Sequence, residues 1–464
     1  MASNNIHKPV ATGPQQPAFP VGDPALRRRT TLRPEQNRWA PFLKIAPVII
    51  LLIGLLLPVE VRLNFAGQTL YAYRLAWMLV APWLFYQMLS GRFQLRFNDI
   101  IVGLACTWML LSFVIVDGFV RGGAAGFAIA LDVMIPYLVA RQTIRTFNDL
   151  RTLLIALAPI AIVICGMMVL EAVSHTRFIR GGAQALFGSL GAVEYGAEVG
   201  QARLSDTRFG MLRATGPFSH PILAGVFFAA LLPLYYFSRL RGWPALTGIA
   251  AGVGAIFSLS SAAFLGIGMF VLLSVYDRIR QVVVFLNWPI FIAALAALMT
   301  VLHVLSQNGL ISVLIRFTFN PASGYYRLMI WEYGSRSVEA YPWFGIAYAQ
   351  FKGLAWMNSS VDAVWLALAI RHGLPAPLLL GLAVIIAIGG LAFSASRDRS
   401  INSAARIGLA ISLTMFFILG FTVSYFGGIL IWFAMMIGFG TTFGRIVEPA
   451  VQRAPMRRQQ VRPT

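Results

Sequence analysis

The composition of this 464-residue chain excludes a soluble globular protein. Hydrophobic residues make up 58% of it, charged residues 12%, and the mean hydropathy is +0.73. A net charge of +20 would suggest a nucleic-acid partner in a soluble protein, but in a membrane protein an excess of Lys and Arg reports the orientation of the loops. We therefore expect an all-α integral membrane protein without a nucleic-acid partner.

The two ends of the chain differ in character from its middle. Residues 1–40 are rich in Pro, Gln, Asn and Arg and predict a disordered basic cytoplasmic tail, because they lack apolar periodicity. The first apolar run begins too late for a secretory signal peptide. Residues 445–464 predict a second basic cytoplasmic tail, which leaves 41–444 as one polytopic membrane domain.

Apolar runs of roughly membrane-spanning length recur through the middle of the chain and predict about 12 transmembrane helices. They lie near 43–58, 70–90, 99–117, 124–140, 150–172, 218–237, 243–258, 261–276, 283–304, 375–394, 406–422 and 427–443. The short Arg-rich connections between them all fall on one side if the N-terminus is inside. Both termini are therefore predicted to be cytoplasmic.

The segment 359–373, "SSVDAVWLALAIRHG", resembles a thirteenth span but is too short for one. Only about 12 of its residues are free of charge, against the roughly 20 that a span needs. Counting it as a span would also place the basic C-terminus outside. We expect an interfacial or re-entrant helix, which is tolerated where protein or a water-filled cavity covers its polar groups.

Two long connections, 173–217 and 305–358, are predicted to lie on the outer side and are dense in arginine. Arg213 precedes the turn "GPFSHP" at the mouth of the sixth span, and Arg327 is expected to begin a short aromatic helix with Trp331 on its face. Arginine's planar fork suits phosphate oxygens, so both residues are candidate ligands of a lipid-linked phosphate or pyrophosphate. The alternative is that they snorkel as interfacial anchors.

Four blocks in chain order between about 205 and 395 carry a family resemblance. They are "RATGPFSHPILAGVFFAALLPL", "SLSS", "YYRLMIWEYGSRSVEAYPWFGIAY" and "SVDAVWLALAIRHGLPAPLLL". The series resembles the O-antigen ligase family, which includes bacterial surface-polysaccharide polymerases. The resemblance implies an inner-membrane glycosyltransferase that uses an undecaprenyl-pyrophosphate-linked glycan on the periplasmic side. It also implies that Arg213 and Arg327 hold the donor pyrophosphate.

Two of the four blocks depart from the family's pattern. Asp362 occupies the place of a histidine in the pattern of the ligases. This difference favours the polymerase branch over transfer of glycan to lipid A core. Ala262 and Ala263 follow "SLSS" where the family often has a basic residue and Gly, so the resemblance gives Ser260 and Ser261 no role. An exopolysaccharide or O-antigen polymerase is therefore the predicted function, with a ligase as the alternative.

The expected reaction needs a base for the acceptor hydroxyl, and Asp362 is the candidate catalytic residue. Partial burial would raise its pKa above the ordinary value of about 4. The alternatives for Asp362 are a helix cap or an ion pair with Arg371. His220 is a candidate ligand of phosphate or sugar, with a structural role at the helix start as its alternative.

The remaining ionisable groups in or near spans are Asp132 and Glu171, and intramembrane carboxylates are often functional. For Asp132, one turn before Pro136, we expect a salt bridge within the bundle or a bond to freed backbone groups. The chain holds no HExxH, Walker or GxGxxG motif, so neither a metal nor another cofactor is expected.

Two other classes of protein also fit a chain with this number of spans. A transporter of lipid-linked oligosaccharide would be expected to repeat its halves, but the two long connections follow spans five and nine. A structural subunit of an export complex would not require Arg213 and Arg327. The partners expected for a polymerase are the lipid-linked glycan, membrane lipid, and polysaccharide export or chain-length proteins.

Overall fold

The computed structural model describes residues 39–65, 68–188, 207–283, 285–305, 321–354, 356–357, 360–395 and 400–444. The chain divides into two units, and the second, Pro41–Thr464, holds nearly all of these residues. The predicted cytoplasmic tails fall almost entirely outside the described residues.

Helices dominate the described residues, and the strands among them form two short antiparallel hairpins. The α-helices are Ala40–Lys44, Ala46–Leu56, Ala72–Leu89, Phe97–Asp117, Gly123–Thr143, Phe147–Ser174, Phe178–Phe187, Pro221–Phe237, Trp243–Val253, Ser261–Val282, Trp288–Leu305, Pro321–Ala340, Val364–His372, Pro375–Ser394, Ile401–Leu419 and Gly428–Phe443. A π-helical turn spans Gly118–Gly122, and a 3-10 helix spans Gly254–Ser258. The hairpins pair Arg62–Phe65 with Gln68–Tyr71 and Thr207–Arg208 with Met211–Leu212.

Five helical stretches in the described part of the chain are long and apolar enough to cross a membrane. They are Phe97–Thr143, Phe147–Ser174, Ser261–Val282, Pro375–Ser394 and Ile401–Leu419. Each of the predicted apolar runs overlaps a described helix, and several of these helices are shorter than a full span. The protein is thus a helical membrane protein.

The longest stretch, Phe97–Thr143, is a hairpin of two helices. A Cβ atom added to Gly122 would lie 2.0 Å from the backbone oxygen of Phe113, and one on Gly126 would lie 3.0 Å from that of Leu110. In a straight helix, residues nine apart are separated by about 13 Å along the axis. The π-helical turn therefore reverses the chain and packs the second helix against the first.

One end of the bundle carries connections that are predicted to be cytoplasmic. We call it the basic end. Arg141 and Asp99 form a buried ion pair of 2.7 Å. Arg406 donates to the backbone oxygens of Ser394 and Phe443, each at 3.2 Å. Further contacts at this end join Lys44 to Asp149, Arg96 to Thr442, and Arg151 to Arg239. Arginines here pair with carboxylates or with backbone carbonyls at helix ends.

The helix Phe147–Ser174 connects the basic end to the opposite end. Asp149 lies in its first turn, and Glu171 lies in its last. At 1.5 Å per residue these carboxylates are about 33 Å apart. Beside this helix, Pro221–Phe237 is buried on nearly every side, as expected of a central helix that is apolar all round. Its first turn lies at the same end as Glu171.

The helix that carries Arg327 differs from the prediction. It begins at Pro321 and runs for 20 residues to Ala340, so Arg327 lies in its second turn and not at its start. Proline is well suited to the first turn of a helix, since its fixed φ fits and it lacks an N–H that would have no partner there. Within the predicted segment 359–373, the helix Val364–His372 has nine residues. Its length of about 14 Å is less than half of a bilayer core of about 30 Å.

Candidate functional site

The "RATGP" turn that precedes the central helix lies between two other elements. Ala214 donates its N–H to the backbone oxygen of Phe257 at 3.1 Å, which joins the turn to the 3-10 helix. Gly216 has a φ of +54°, a conformation that glycine adopts without strain, and a Cβ there would lie 3.1 Å from Ile164. The turn is therefore fixed in a conformation and a space that favour glycine.

A carboxylate holds this turn from the side of the preceding span. Glu171 is fully buried, and its Oε2 accepts the N–H groups of Thr215 at 3.0 Å and Gly216 at 2.9 Å. The sequence marked Glu171 as an intramembrane carboxylate but gave no partner for it. Its partners are backbone groups, which leave no signature in a sequence.

His220 is the N-cap of the central helix Pro221–Phe237 and lies just outside it. Its Nδ1 accepts the N–H of Ile222 at 3.2 Å, so in the neutral ring Nε2 carries the proton. Burial, together with the nearby charges of Arg213, Arg177, Arg327 and Arg180, lowers the pKa of His220 to about 3. Nδ1 of His220 thus has the structural role at the helix start, while Nε2 remains a hydrogen-bond donor near these arginines.

The downstream part of the turn is held by a buried ion pair. Arg180, in the helix Phe178–Phe187, lies 2.7 Å from Glu60, and both side chains are fully buried. Arg180 also donates to the backbone oxygen of Ser219 at 3.1 Å. The charge of Arg180 is therefore matched within the protein.

Arg327 and Asp362 come from different segments and interact electrostatically. Both segments are fixed to the same connection. Trp331, one turn after Arg327, donates its indole N–H to the backbone oxygen of Phe421 at 3.0 Å. The N–H of Val364 donates to the backbone oxygen of Val423 at 3.0 Å. These two bonds bring the predicted phosphate ligand and the predicted base together.

The surroundings of Asp362 differ from both structural alternatives for this residue. Ala363 is the N-cap of the following helix, which has no side-chain cap bond. The guanidinium of Arg371 lies 5.5 Å from the ring centroid of Tyr348, and Asp362 forms no ion pair with any described residue. Burial raises the pKa of the Asp362 carboxyl, although the charge of Arg327 opposes the shift.

Arg208 in the second hairpin adds a further guanidinium that the sequence did not single out. It donates to the backbone oxygen of Leu259 at 2.8 Å, where Leu259 has a left-handed φ of +44°. Burial and the nearby charge of Arg327 lower the pKa of Arg208. Ser260, which follows Leu259, is buried at the N-cap of the next helix without a side-chain cap bond. The "SLSS" block thus contacts Arg208 through a backbone oxygen.

These residues define what we call the arginine cluster: Arg177, Arg213 and Arg327 around His220, with Arg208 and Asp362 beside Arg327. Nε of Arg327 is buried and has no hydrogen-bond partner among the described groups. Guanidinium groups bind phosphate oxygens in a two-pronged geometry. The cluster can hold an anion with more than one phosphate group beside a carboxylate.

Asp132 lies outside the arginine cluster, as expected. Arg74 lies 2.7 Å from its Oδ2, and the indole N–H of Trp77 donates to its Oδ1 at 3.0 Å. The predicted bundle salt bridge is confirmed. In the described part of the chain, no three His, Cys, Asp or Glu residues are grouped as metal ligands.

Comparison with known proteins adds no relative from which a role could be transferred. Neither the models of known protein families nor the curated proteins give a match for this chain. Support for a function therefore comes from the four sequence blocks and the geometry of the arginine cluster.

Proposed function

We propose that the protein polymerises undecaprenyl-pyrophosphate-linked oligosaccharide repeat units at the periplasmic face of the bacterial inner membrane. It would be a membrane glycosyltransferase of the kind that the O-antigen ligase resemblance implies. The observation that carries the proposal is the arginine cluster with Asp362 beside it, at the end of the bundle opposite to the basic end. Such a site suits a diphosphate lipid whose sugar is transferred to a hydroxyl group.

The proposed topology has about 12 spans, cytoplasmic termini and the arginine cluster on the periplasmic side. Its support is the basic end, where the Arg-rich connections collect as the positive-inside rule requires of cytoplasmic loops. Reporter fusions at Arg239, Arg278 and Arg397 should report the cytoplasm, and fusions within 173–217 and 305–358 the periplasm. A periplasmic signal at Arg397 would contradict this topology.

In the proposed binding step, the diphosphate of the donor lipid occupies the arginine cluster. Arg213 and Arg327 would each donate two N–H groups to phosphate oxygens, and Nε2 of His220 would donate one more hydrogen bond. A diphosphate esterified at both ends carries about two negative charges, one for each phosphorus. Positive groups fixed around it stabilise the charge that grows on the diphosphate as its bond to the sugar breaks.

In the proposed chemical step, Asp362 accepts the proton of the acceptor hydroxyl. The hydroxyl oxygen forms a bond to the anomeric carbon of the donor sugar, and the bond from that carbon to the diphosphate oxygen breaks. Undecaprenyl pyrophosphate leaves with the electron pair. A carboxylate with a raised pKa is a stronger base than an exposed one, which suits this role.

Deletion of the gene tests the proposal against its alternatives. Accumulation of single lipid-linked repeat units is the expected result. Accumulation of full-length lipid-linked polymer would indicate a ligase that transfers glycan to lipid A core. Unchanged lipid-linked glycan would contradict both enzymes and favour an export subunit, whereas loss of a transporter would leave single units on the cytoplasmic side. Complementation with Arg213→Ala separates enzyme from subunit, because a structural subunit would restore the polymer.

A further inference from the structure

Two buried carboxylates hold the segment from Arg213 to His220 without belonging to it. Glu60 acts through Arg180, which donates to the backbone oxygen of Ser219. Glu171 acts directly on the other half of the segment, where it accepts two consecutive backbone N–H groups. The segment that carries two residues of the arginine cluster is thus fixed from two sides.

The bonds of Glu171 hold two peptide groups that follow Arg213. Thr215 and Gly216 are buried, and their N–H groups converge on one oxygen atom, Oε2, at 3.0 and 2.9 Å. Arg213 lies two residues before Thr215, so a rotation of these peptide groups redirects its side chain. His220 lies four residues after Gly216, at the end of the same segment.

We propose that Glu171 is a positioning residue for the proposed diphosphate site, where it orients Arg213 by holding the Thr215 and Gly216 amides. This inference rests on the proposed function, since it assigns Glu171 to the binding of the same lipid diphosphate. Glu171 itself does not touch the substrate. Its carboxylate is turned to the backbone, and its charge would repel a phosphate at closer range.

Three variants of Glu171 separate geometry from charge. Glu171→Gln loses the charge but keeps an oxygen at the same reach, so binding of undecaprenyl pyrophosphate should stay close to that of the wild type. Glu171→Asp keeps the charge but withdraws the oxygen by one methylene. Glu171→Ala removes the acceptor. The last two should weaken binding by about tenfold or more, because a turn that is no longer held must be ordered when the diphosphate binds.

The measurement is the Kd of purified full-length protein for undecaprenyl pyrophosphate, with inorganic phosphate as a second probe. Glu332→Gln is the matched control, because Glu332 is an exposed carboxylate on the helix of Arg327 and pairs with Arg336 at the surface. It should leave the Kd unchanged. Weaker binding in Glu171→Gln than in Glu171→Asp would overturn the inference, since charge and not geometry would then matter.

A double-mutant cycle tests whether Glu171 acts through Arg213. Arg213→Ala combined with Glu171→Ala should bind no more weakly than Arg213→Ala alone. A further loss in the double variant would indicate a general structural role and overturn the inference. If Arg213→Ala itself binds as the wild type does, the proposed site fails. If Arg213→Ala is impaired but Glu171→Ala is not, only the role of Glu171 fails.

Discussion

The two ends of the bundle use the same residue type in opposite ways. At the basic end, arginine charge is matched inside the protein, as in the buried pair of Arg141 with Asp99 and the carbonyl contacts of Arg406. At the opposite end, several guanidinium groups surround His220, and Nε of Arg327 has no partner among the described groups. Density of arginine therefore does not by itself distinguish a binding site from a structural end.

Among substitutions at the end of the arginine cluster, loss of the proposed base should have the largest effect on activity. Asp362→Asn keeps the size of the side chain but cannot accept a proton, so we expect kcat to fall by about 100-fold to 10,000-fold with little change in KM for the donor. Repeat-unit polymerisation by protein in proteoliposomes measures both constants. Normal activity in Asp362→Asn would remove this residue from the chemistry.

The arginines of the cluster should tolerate lysine poorly. Arg213→Lys and Arg327→Lys keep the charge but lose the two-pronged geometry, and we expect a loss of about 100-fold in kcat/KM for the lipid donor. Arg336→Lys is the matched control, because Arg336 is exposed on the same helix as Arg327 and pairs only at the surface. Equal activity in all three variants would make Arg213 and Arg327 interfacial anchors.

The pH dependence of the reaction should follow Asp362 and not His220. Because the base must be ionised, activity falls as pH drops through its pKa, and burial places this acid limb above the ordinary carboxyl value of about 4. His220, with a pKa of about 3, stays neutral through the working range and should add no limb near 6.5. A profile of kcat/KM against pH is the measurement. An acid limb that persists in Asp362→Asn would assign it to another group.

A substitution at the basic end should change stability and leave activity intact. Asp99→Asn leaves the buried guanidinium of Arg141 without its carboxylate, at a cost of about 3–5 kcal/mol. Thermal unfolding in detergent measures this loss, and activity per folded molecule should equal that of the wild type. The exposed pair removed by Glu332→Gln should change stability by less than about 1 kcal/mol. A matching loss of specific activity in Asp99→Asn would contradict this prediction and indicate that the two ends are coupled.

Sequence patterns predicted helix positions better than they predicted contacts. The apolar runs located the helices because burial in lipid demands long apolar segments. The helix of Arg327 was misplaced at its start, since its polar first turns carry no apolar signal. The salt bridge of Asp132 was foreseen, because a buried carboxylate requires a partner.

The candidate site was predicted in part. Arg213, Arg327, His220 and Asp362 were chosen from their blocks, and they lie together at one end. The support behind them was not foreseen. The bonds of Glu171 are made to backbone amides, and no side-chain pattern reveals which amides a carboxylate will meet. Long-range backbone contacts of this kind follow from the packing of whole helices.

The most direct test of the account is an experimental structure of the protein with undecaprenyl pyrophosphate bound. We predict that the diphosphate lies between Arg213 and Arg327, with guanidinium nitrogens about 2.7–2.9 Å from its oxygens. Asp362 should face the position of the attached sugar. A diphosphate bound at the basic end, or Arg213 and Arg327 turned away from it toward lipid, would contradict the account.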